Sequence, residues 1–394
     1  MPDNKSIYDY REGCVSVIIP TYNYQNFIAT AIDSVLEQCG IDKEIIVVDD
    51  GSSDRTYNIL ERYKKNIKYI YKENAGLSAA RNTGIKNSSG EFILFLDADD
   101  VLGPDVISSQ LKYLENNSNA DVVVCQSYYF QETTPEGRPK PTIPWILFKK
   151  SLAVHLCYFN IAPPHAFLFR REAIIQTGWF DTHLKACEDY DFWLRAAMKG
   201  FIPQYNHSGL VYYRRHHKSM SADLRRQYLH DAILHKRLSV LLDQNPHYPE
   251  NQRLEALLAF SAGVLQTIVR LDDFQLDGGY KLLEYVFQRL NEAKRIAKSN
   301  KSSWNILLTL FCLRIMCFQT SSCFVKSNRN AKIKKYIQEI TASLNINISR
   351  PYLLAEIIIS ALVGSNQFVW ERQELRRLLL KYLKVIIRSI INIG

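Results

Sequence analysis

Short apolar runs alternate with helically spaced apolar positions through the first third of the chain. Val15–Ile19 is β-branched and closed by Pro20, and it predicts a buried strand. From Phe27 to Gln38 the apolar residues fall at 28, 31, 32, 35 and 36, one face of a helix. Glu44–Val48 predicts a second strand that runs into Asp49-Asp50-Gly51. Ser53 or Asp54 is placed to cap a helix reaching about Lys64. Ile67–Tyr71, Phe92–Leu96 and Val122–Phe130 predict further strands, with helices over Leu77–Lys86 and Asp105–Asn116. Residues 131–149 hold four prolines and predict a loop or insertion. Mixed structure resumes over 160–215, with a strand at Ala166–Phe169 and a helix near Tyr190–Lys199. From about Asp223 onward the pattern is helical.

Strands and helices in alternation predict an α/β fold, a parallel sheet with helices on both faces. Ligands of such sheets bind at the carboxyl ends of the strands. Thr21-Tyr22-Asn23, Asp49-Asp50 and Asp97-Ala98-Asp99 each follow a strand, so all three should meet on one sheet edge.

With 394 residues the chain has room for two or three domains, and 47% hydrophobic against 23% charged residues excludes a disordered or fibrous protein. The division expected is residues 1–225 and 226–394. The polar N-terminus and the lack of an uncharged apolar run of 18 residues predict neither a leader nor a membrane span. Eight scattered cysteines without a C-x-x-C pair predict reduced thiols and a cytoplasmic protein.

The net charge of +9 sits in the tail: residues 301–394 carry 14 Lys/Arg against 4 Asp/Glu. From Leu375 the apolar positions 375, 378, 379, 382, 383, 386, 387 and 390 oppose basic residues at 372, 376, 377, 381, 384 and 388, which predicts a basic amphipathic final helix. Its stripe would pack on the helical domain or a second subunit. Alternatively it would lie peripherally on the anionic inner face of the cell membrane. A nucleic-acid partner is not expected, since the basic residues are not interleaved with aromatics in a known module.

Four clusters carry candidate chemistry, each with a plainer reading beside it. Asp97 and Asp99, two apart on an extended segment, can approach one hard cation, Mn²⁺ or Mg²⁺; the alternative is a solvated turn. Asp50 can accept from a base N–H or ribose hydroxyl, where Ser53 and Asp54 read as caps. Arg81 follows Gly76 on a helix and can reach a phosphate or the second acidic cluster, or form a surface ion pair. Glu188-Asp189-Tyr190-Asp191 opens an apolar helix, where an acid is either a dipole-favoured residue or a general base. His216 and His217, after Tyr213-Arg214-Arg215, would close over a diphosphate or a metal, or form a basic surface loop.

The order and spacing of seven segments are more specific than any one of them. Val17-Ile-Ile-Pro-Thr-Tyr-Asn23, Val47-Val-Asp-Asp-Gly-Ser-Ser-Asp54, Asn74-Ala-Gly-Leu-Ser-Ala-Ala-Arg-Asn82, Asp97-Ala-Asp-Asp100, Gly178-Trp-Phe-Asp181, Glu188-Asp-Tyr-Asp191 and Tyr213-Arg-Arg-His216 together resemble the family-2 inverting glycosyltransferases of GT-A fold, over residues 14–220. The resemblance implies a Rossmann-like mixed sheet followed by a helical C-terminal domain. It implies transfer of a sugar from a nucleotide-diphosphate donor, with UDP the default, to a glycan or lipid-linked acceptor in surface polysaccharide or glycan synthesis. By the same resemblance Pro20, Thr21 and Tyr22 line the nucleobase pocket and Asp50 holds the base edge. Arg81 lies near the nucleotide and Asp97 against the ribose or donor sugar. Asp99 is the direct metal ligand, Asp189 the catalytic base with Glu188 and Asp191 shaping its site, and His216 part of a loop over the diphosphate. The competing readings are a nucleotidyltransferase, which lacks its Gly-rich Arg/Lys segment after the first strand, and an inactive fold acting as a binding or recruitment module.

Overall fold

The computed structural model describes residues 10–130, 140–141 and 160–216, with scattered positions from 219 to 237. The tail, including the expected amphipathic final helix, lies outside the described residues. Met1–His230 and Asp231–Gly394 are two compact units.

Among the described residues nine strands form one sheet: β1 (Arg11–Thr21), β2 (Lys43–Asp49), β3 (Lys68–Tyr71), β4 (Gly90–Phe95), β5 (Val101–Leu102), β6 (Val122–Phe130), β7 (Lys140–Pro141), β8 (Phe167–Arg170) and β9 (Gln204–Arg214). Their spatial order is β3-β2-β1-β4-β8-β6-β9-β5, with β7 paired to β6. The helices are α1 (Ile28–Leu36), α2 (Thr56–Leu60), α3 (Leu77–Lys86), α4 (Val106–Asn116), α5 (Arg171–Thr177) and α6 (Glu188–Met198). Strands β1 to β4 are parallel, with β1 in the centre. Val15, Val17, Ile18 and Ile19 are completely buried, as a central parallel strand covered on both faces requires.

The sheet is mixed, not wholly parallel. β8 runs antiparallel to both β4 and β6, and β5 antiparallel to β9. An antiparallel neighbour needs no crossover helix, so β8 is free of the handedness rule that governs β1 to β4. Sequence periodicity missed β5, β7, β9 and α5. Two residues and seven residues are too short for a period to show. In β9 the polar run His207-Ser208-Gly209 breaks the pattern, and there the pairing with β6 shifts register between Cys125 and Gln126. The cap expected at Ser53 or Asp54 takes another form. Asp54 accepts the Thr56 amide at 2.9 Å and the Gln25 amide at 3.1 Å, whereas the Ser53 amide donates to Asn23.

Helix α6 is anchored by aromatic packing. Trp193 stacks on Phe167 (4.5 Å between centroids) and Phe169 (5.1 Å), and Phe192 stacks on Phe180 (4.4 Å). Each such pair contributes ~0.5–1.5 kcal/mol beyond its buried area. The acidic first turn of α6 is thereby fixed against β8.

Helix α3 lies on β1 through Gly84, where an added Cβ would overlap Ile18 Cγ2. Alanine usually gains about 1 kcal/mol over glycine inside a helix, but overpacking a filled core costs about 1–3 kcal/mol. Gly84→Ala is therefore expected to lower the unfolding free energy in a urea titration; a rise would show that the α3–β1 contact yields.

Candidate active site

The parallel strands deliver their polar ends to one edge, as expected. The Thr21 carbonyl accepts the Asp50 amide at 2.9 Å, and the Ile18 carbonyl accepts the Leu96 amide at 2.9 Å. Asn23 sits at φ 60°, a conformation asparagine tolerates, and its Oδ1 accepts the Ser53 amide at 2.8 Å while its own amide donates to Ser52 Oγ at 3.0 Å. The turns after β1 and β2 are thus stitched together. Pro20 and Thr21 close β1, Thr21 being buried, and the Tyr22 ring is 46% exposed. Asp50 is buried and accepts from the Lys72 ammonium and from the amides of Ala75 and Gly76, the latter at 2.7 Å. It holds the turn into α3, where Gly76 adopts φ 92°.

Arg81 on α3 is completely buried, so the surface ion pair is ruled out for it. Its Nη2 donates to Asp97 Oδ1 at 2.6 Å and its Nη1 to Glu188 Oε1 at 2.7 Å. Burial by itself would lower its pKa, but Asp97 and Glu188 hold it above the usual arginine value. The guanidinium also lies over Phe180, 5.4 Å from the ring centre. One side chain therefore ties the acids after β4 to the acids that open α6.

Asp99 is held by two side chains from the end of β9. His216 Nε2 lies 2.9 Å from Asp99 Oδ2, and Arg214 Nε donates to the Asp99 carbonyl at 2.7 Å. Burial and then Asp99 itself raise the Tyr24 pKa, so the phenol stays protonated. Behind it, Asp100 accepts the Arg214 amide at 2.8 Å and lies 3.2 Å from His165 Nδ1. Burial raises the Asp100 pKa well above the carboxylate range and pushes His165 down to about 4. His165 is thus a neutral imidazole at neutral pH.

Asp189 is partly exposed at the first turn of α6. Its Oδ1 accepts the Tyr190 amide at 2.7 Å and its Oδ2 accepts Asn160 Nδ2 at 2.8 Å. Burial, followed by the charge of adjacent Glu188, pushes its pKa up to about 7, against the opposing effect of Arg81. That is the range a general base needs. Asp191 is buried on the same turn and pairs with Arg195 at 2.7 Å. Arg195 in turn donates to the carbonyls of Thr177 and Trp179, so Asp191 braces the connection before α6.

Tyr24, Phe27, Asn160, His165 and Arg214 belong to this network but were not singled out by sequence reasoning. Arg214 had a signal, lying inside the Tyr213-Arg-Arg-His216 run. Tyr24 and Phe27 flank the polar turn between β1 and α1. Nothing in the sequence marks Asn160 or His165.

Among the described residues no three His, Cys, Asp or Glu side chains form a ready-made metal cage. The adjacent Asp99 carboxylate and His216 imidazole supply two donors. That set suits a hard cation that draws the rest of its shell from water and diphosphate oxygens.

Residues 16–178 match Glycosyl transferase family 2, and this segment is a domain of that family. An uncharacterized glycosyltransferase of Rickettsia typhi is 37% identical over 183 residues, 46% of this chain and 58% of the relative. The uncharacterized glycosyltransferase EpsJ of Bacillus subtilis is 34% identical over 217 residues, 52% of this chain and 62% of the relative. The chain thus spans less than two thirds of either relative. Staphylococcus aureus TarS superposes with a TM-score of 0.52 at 18% identity, covering 87% of this chain and 54% of that one. Its 1–349 fragment in complex with UDP-GlcNAc gives 0.51 at 17% identity, covering 91% and 94%. The mixed sheet is of the GT-A type.

Removing the guanidinium would strand two carboxylates, one of them deeply buried. Breaking a buried ion pair on one side costs about 3–5 kcal/mol. Arg81→Met is expected to destabilise the protein by about 3 kcal/mol or more in urea unfolding. A change within 0.5 kcal/mol, about the size of a neutral surface substitution, would mean that the triad carries no structural weight.

Proposed function

We propose that the protein is a metal-dependent inverting glycosyltransferase that moves a sugar from a nucleotide-diphosphate donor, a UDP-sugar, to a hydroxyl of a glycan or lipid-linked acceptor in surface polysaccharide or glycan synthesis. The observation that carries this reading is the Arg81 bridge. It holds the donor-side acid Asp97, two residues from Asp99, against Glu188, the neighbour of Asp189. The family of residues 16–178 supports it. The choice of UDP leans on the TarS fragment, which holds UDP-GlcNAc on the same fold.

In this mechanism Pro20, Thr21 and Tyr22 receive the base, and the half-exposed Tyr22 ring is free to pack on it. Asp50 acts by fixing the turn into α3, with any contact to the base edge made by its remaining lone pairs. Asp99 and His216 would hold Mn²⁺ or Mg²⁺, which neutralises the charge that gathers on the leaving diphosphate. The acceptor oxygen attacks the anomeric carbon as the bond to the diphosphate oxygen breaks. The acceptor's proton passes to the Asp189 carboxylate, which Asn160 orients. A single displacement of this kind inverts the anomeric centre and needs no covalent nucleophile.

Cys14, Cys39 and Cys125 are free thiols, which fits the proposed cytoplasmic side of the membrane. Among the described residues no helix is long and apolar enough to cross a membrane. Attachment to anionic lipid or to a second subunit through the C-terminal helix remains part of the proposal.

The test is a screen of nucleotide sugars with Mn²⁺ or Mg²⁺, reading nucleotide-diphosphate release, beside Asp99→Ala and Asp189→Asn. Release from one donor is expected, metal-dependent in the wild type. Loss of the base should lower it ~10²–10⁴-fold. Because Asp189 must be deprotonated to act, kcat/KM should rise with pH through an apparent pKa near 7. Absence of both release and binding of every nucleotide tried would move the protein to the class of inactive binding folds.

A further inference from the structure

Two groups that grip Asp99 share one neighbour. The Phe27 ring, at the entry of α1, is stacked on the His216 imidazole, 4.8 Å between centroids and 28° from parallel. On the same ring rests the Arg214 guanidinium, 4.9 Å from its centre. Arg214 is buried and lies 4.4 Å from the Phe130 ring as well. Pairing of β6 with β9 sets Phe130 opposite Arg214 and so fixes that end of the stack. The order is Phe130, Arg214, Phe27, His216. Arg214 then reaches the Asp99 carbonyl and His216 the Asp99 carboxylate.

We propose that Phe27 is a positioning residue, a wedge that sets how Asp99 and His216 present themselves to the cation-bound donor. Phe27 is itself only partly buried and forms no polar contact with either group. Its hold is steric on both groups and cation–π toward the Arg214 guanidinium. The turn from Tyr24 to Ile28 reinforces it. The amides of Phe27 and Ile28 both donate to the Tyr24 carbonyl, at 3.0 and 3.1 Å, and the Tyr24 ring meets the His216 ring edge-on, 6.2 Å between centroids. The turn before α1 and the end of β9 therefore meet at His216. An aliphatic side chain at 27 would fill space but would not stack on the Arg214 guanidinium or the His216 imidazole. Hydrogen-bonding partners that orient metal ligands typically alter metal affinity ~10–100-fold when removed, and a ring stacked on the ligand imidazole acts on the same orientation.

The inference rests on the metal-dependent reading above, and its test separates the two. UDP binding to the full chain is measured by calorimetry with and without Mn²⁺, for wild type, Phe27→Leu and Phe27→Tyr, with urea unfolding of each as a check on folding. Phe27→Leu is expected to weaken UDP binding ~10-fold or more in the presence of Mn²⁺ and less than ~2-fold in its absence. Phe27→Tyr, which keeps the ring, should stay within ~3-fold of wild type under both conditions. Equal weakening with and without Mn²⁺, or an unchanged Leu variant, would overturn the wedge. Wild-type binding that is indifferent to Mn²⁺ would overturn the metal reading, and the wedge with it.

Discussion

A guanidinium taken out of water must find its counter-charges close by, and Arg81 finds two of them far apart in the chain. Asp97 follows β4 and Glu188 opens α6, yet both carboxylates lie within 2.7 Å of the same side chain. The planar, always charged fork of arginine can serve two acids at once, which a lysine cannot do with the same geometry. The desolvation penalty of such a site is large unless the pairing is good. The ion triad therefore fixes where the edge of the sheet stands relative to the first turn of α6. The environment of Asp189 follows from the same fact. Its carboxyl is pushed up by burial and by Glu188, and Arg81 keeps that rise in check.

Around this bridge the fold divides the labour. The turns after β1 and β2 are locked together by Asn23, and Asp50 secures the glycine turn that starts the helix bearing Arg81. Phe180 stacked on Phe192, and Phe167 and Phe169 stacked on Trp193, hold α6 in place. The stack of Phe130, Arg214, Phe27 and His216 secures Asp99 from the other flank. Two aromatic assemblies thus support two carboxylates, and a buried cation couples them.

What the sequence discloses depends on the range of the contact. Val15–Ile19, Glu44–Val48 and Leu77–Lys86 were legible because a central strand or a packed helix imposes its period on consecutive residues. The meeting of Thr21, Asp50 and Asp97 on one edge followed from parallel topology alone. Nothing local marks β8 as antiparallel, since the direction of a strand depends on its connection and not on its side chains. Strand β9 was hidden by the polar bulge at His207-Ser208-Gly209. The individual acids were visible as clusters, but not their pairings. Asp50 reads as a base contact in sequence and serves as a loop anchor in space. Arg81 reads as a partner of a phosphate or an acid, or as a surface ion pair, and is completely buried between Asp97 and Glu188. Asn160 and His165 enter through contacts across long stretches of chain, which no spacing rule reaches.

Arg81 couples the acids on its two sides, and a double-mutant cycle reads that coupling directly. Asp97→Asn, Glu188→Gln and the double variant would be compared in UDP release from the donor the protein uses. Residues sharing one ion network show interaction energies of about 0.5–3 kcal/mol. The prediction is that the double variant is less impaired than the product of the two single effects. Effects that simply multiply would contradict the bridge as the element that unites donor side and acceptor side.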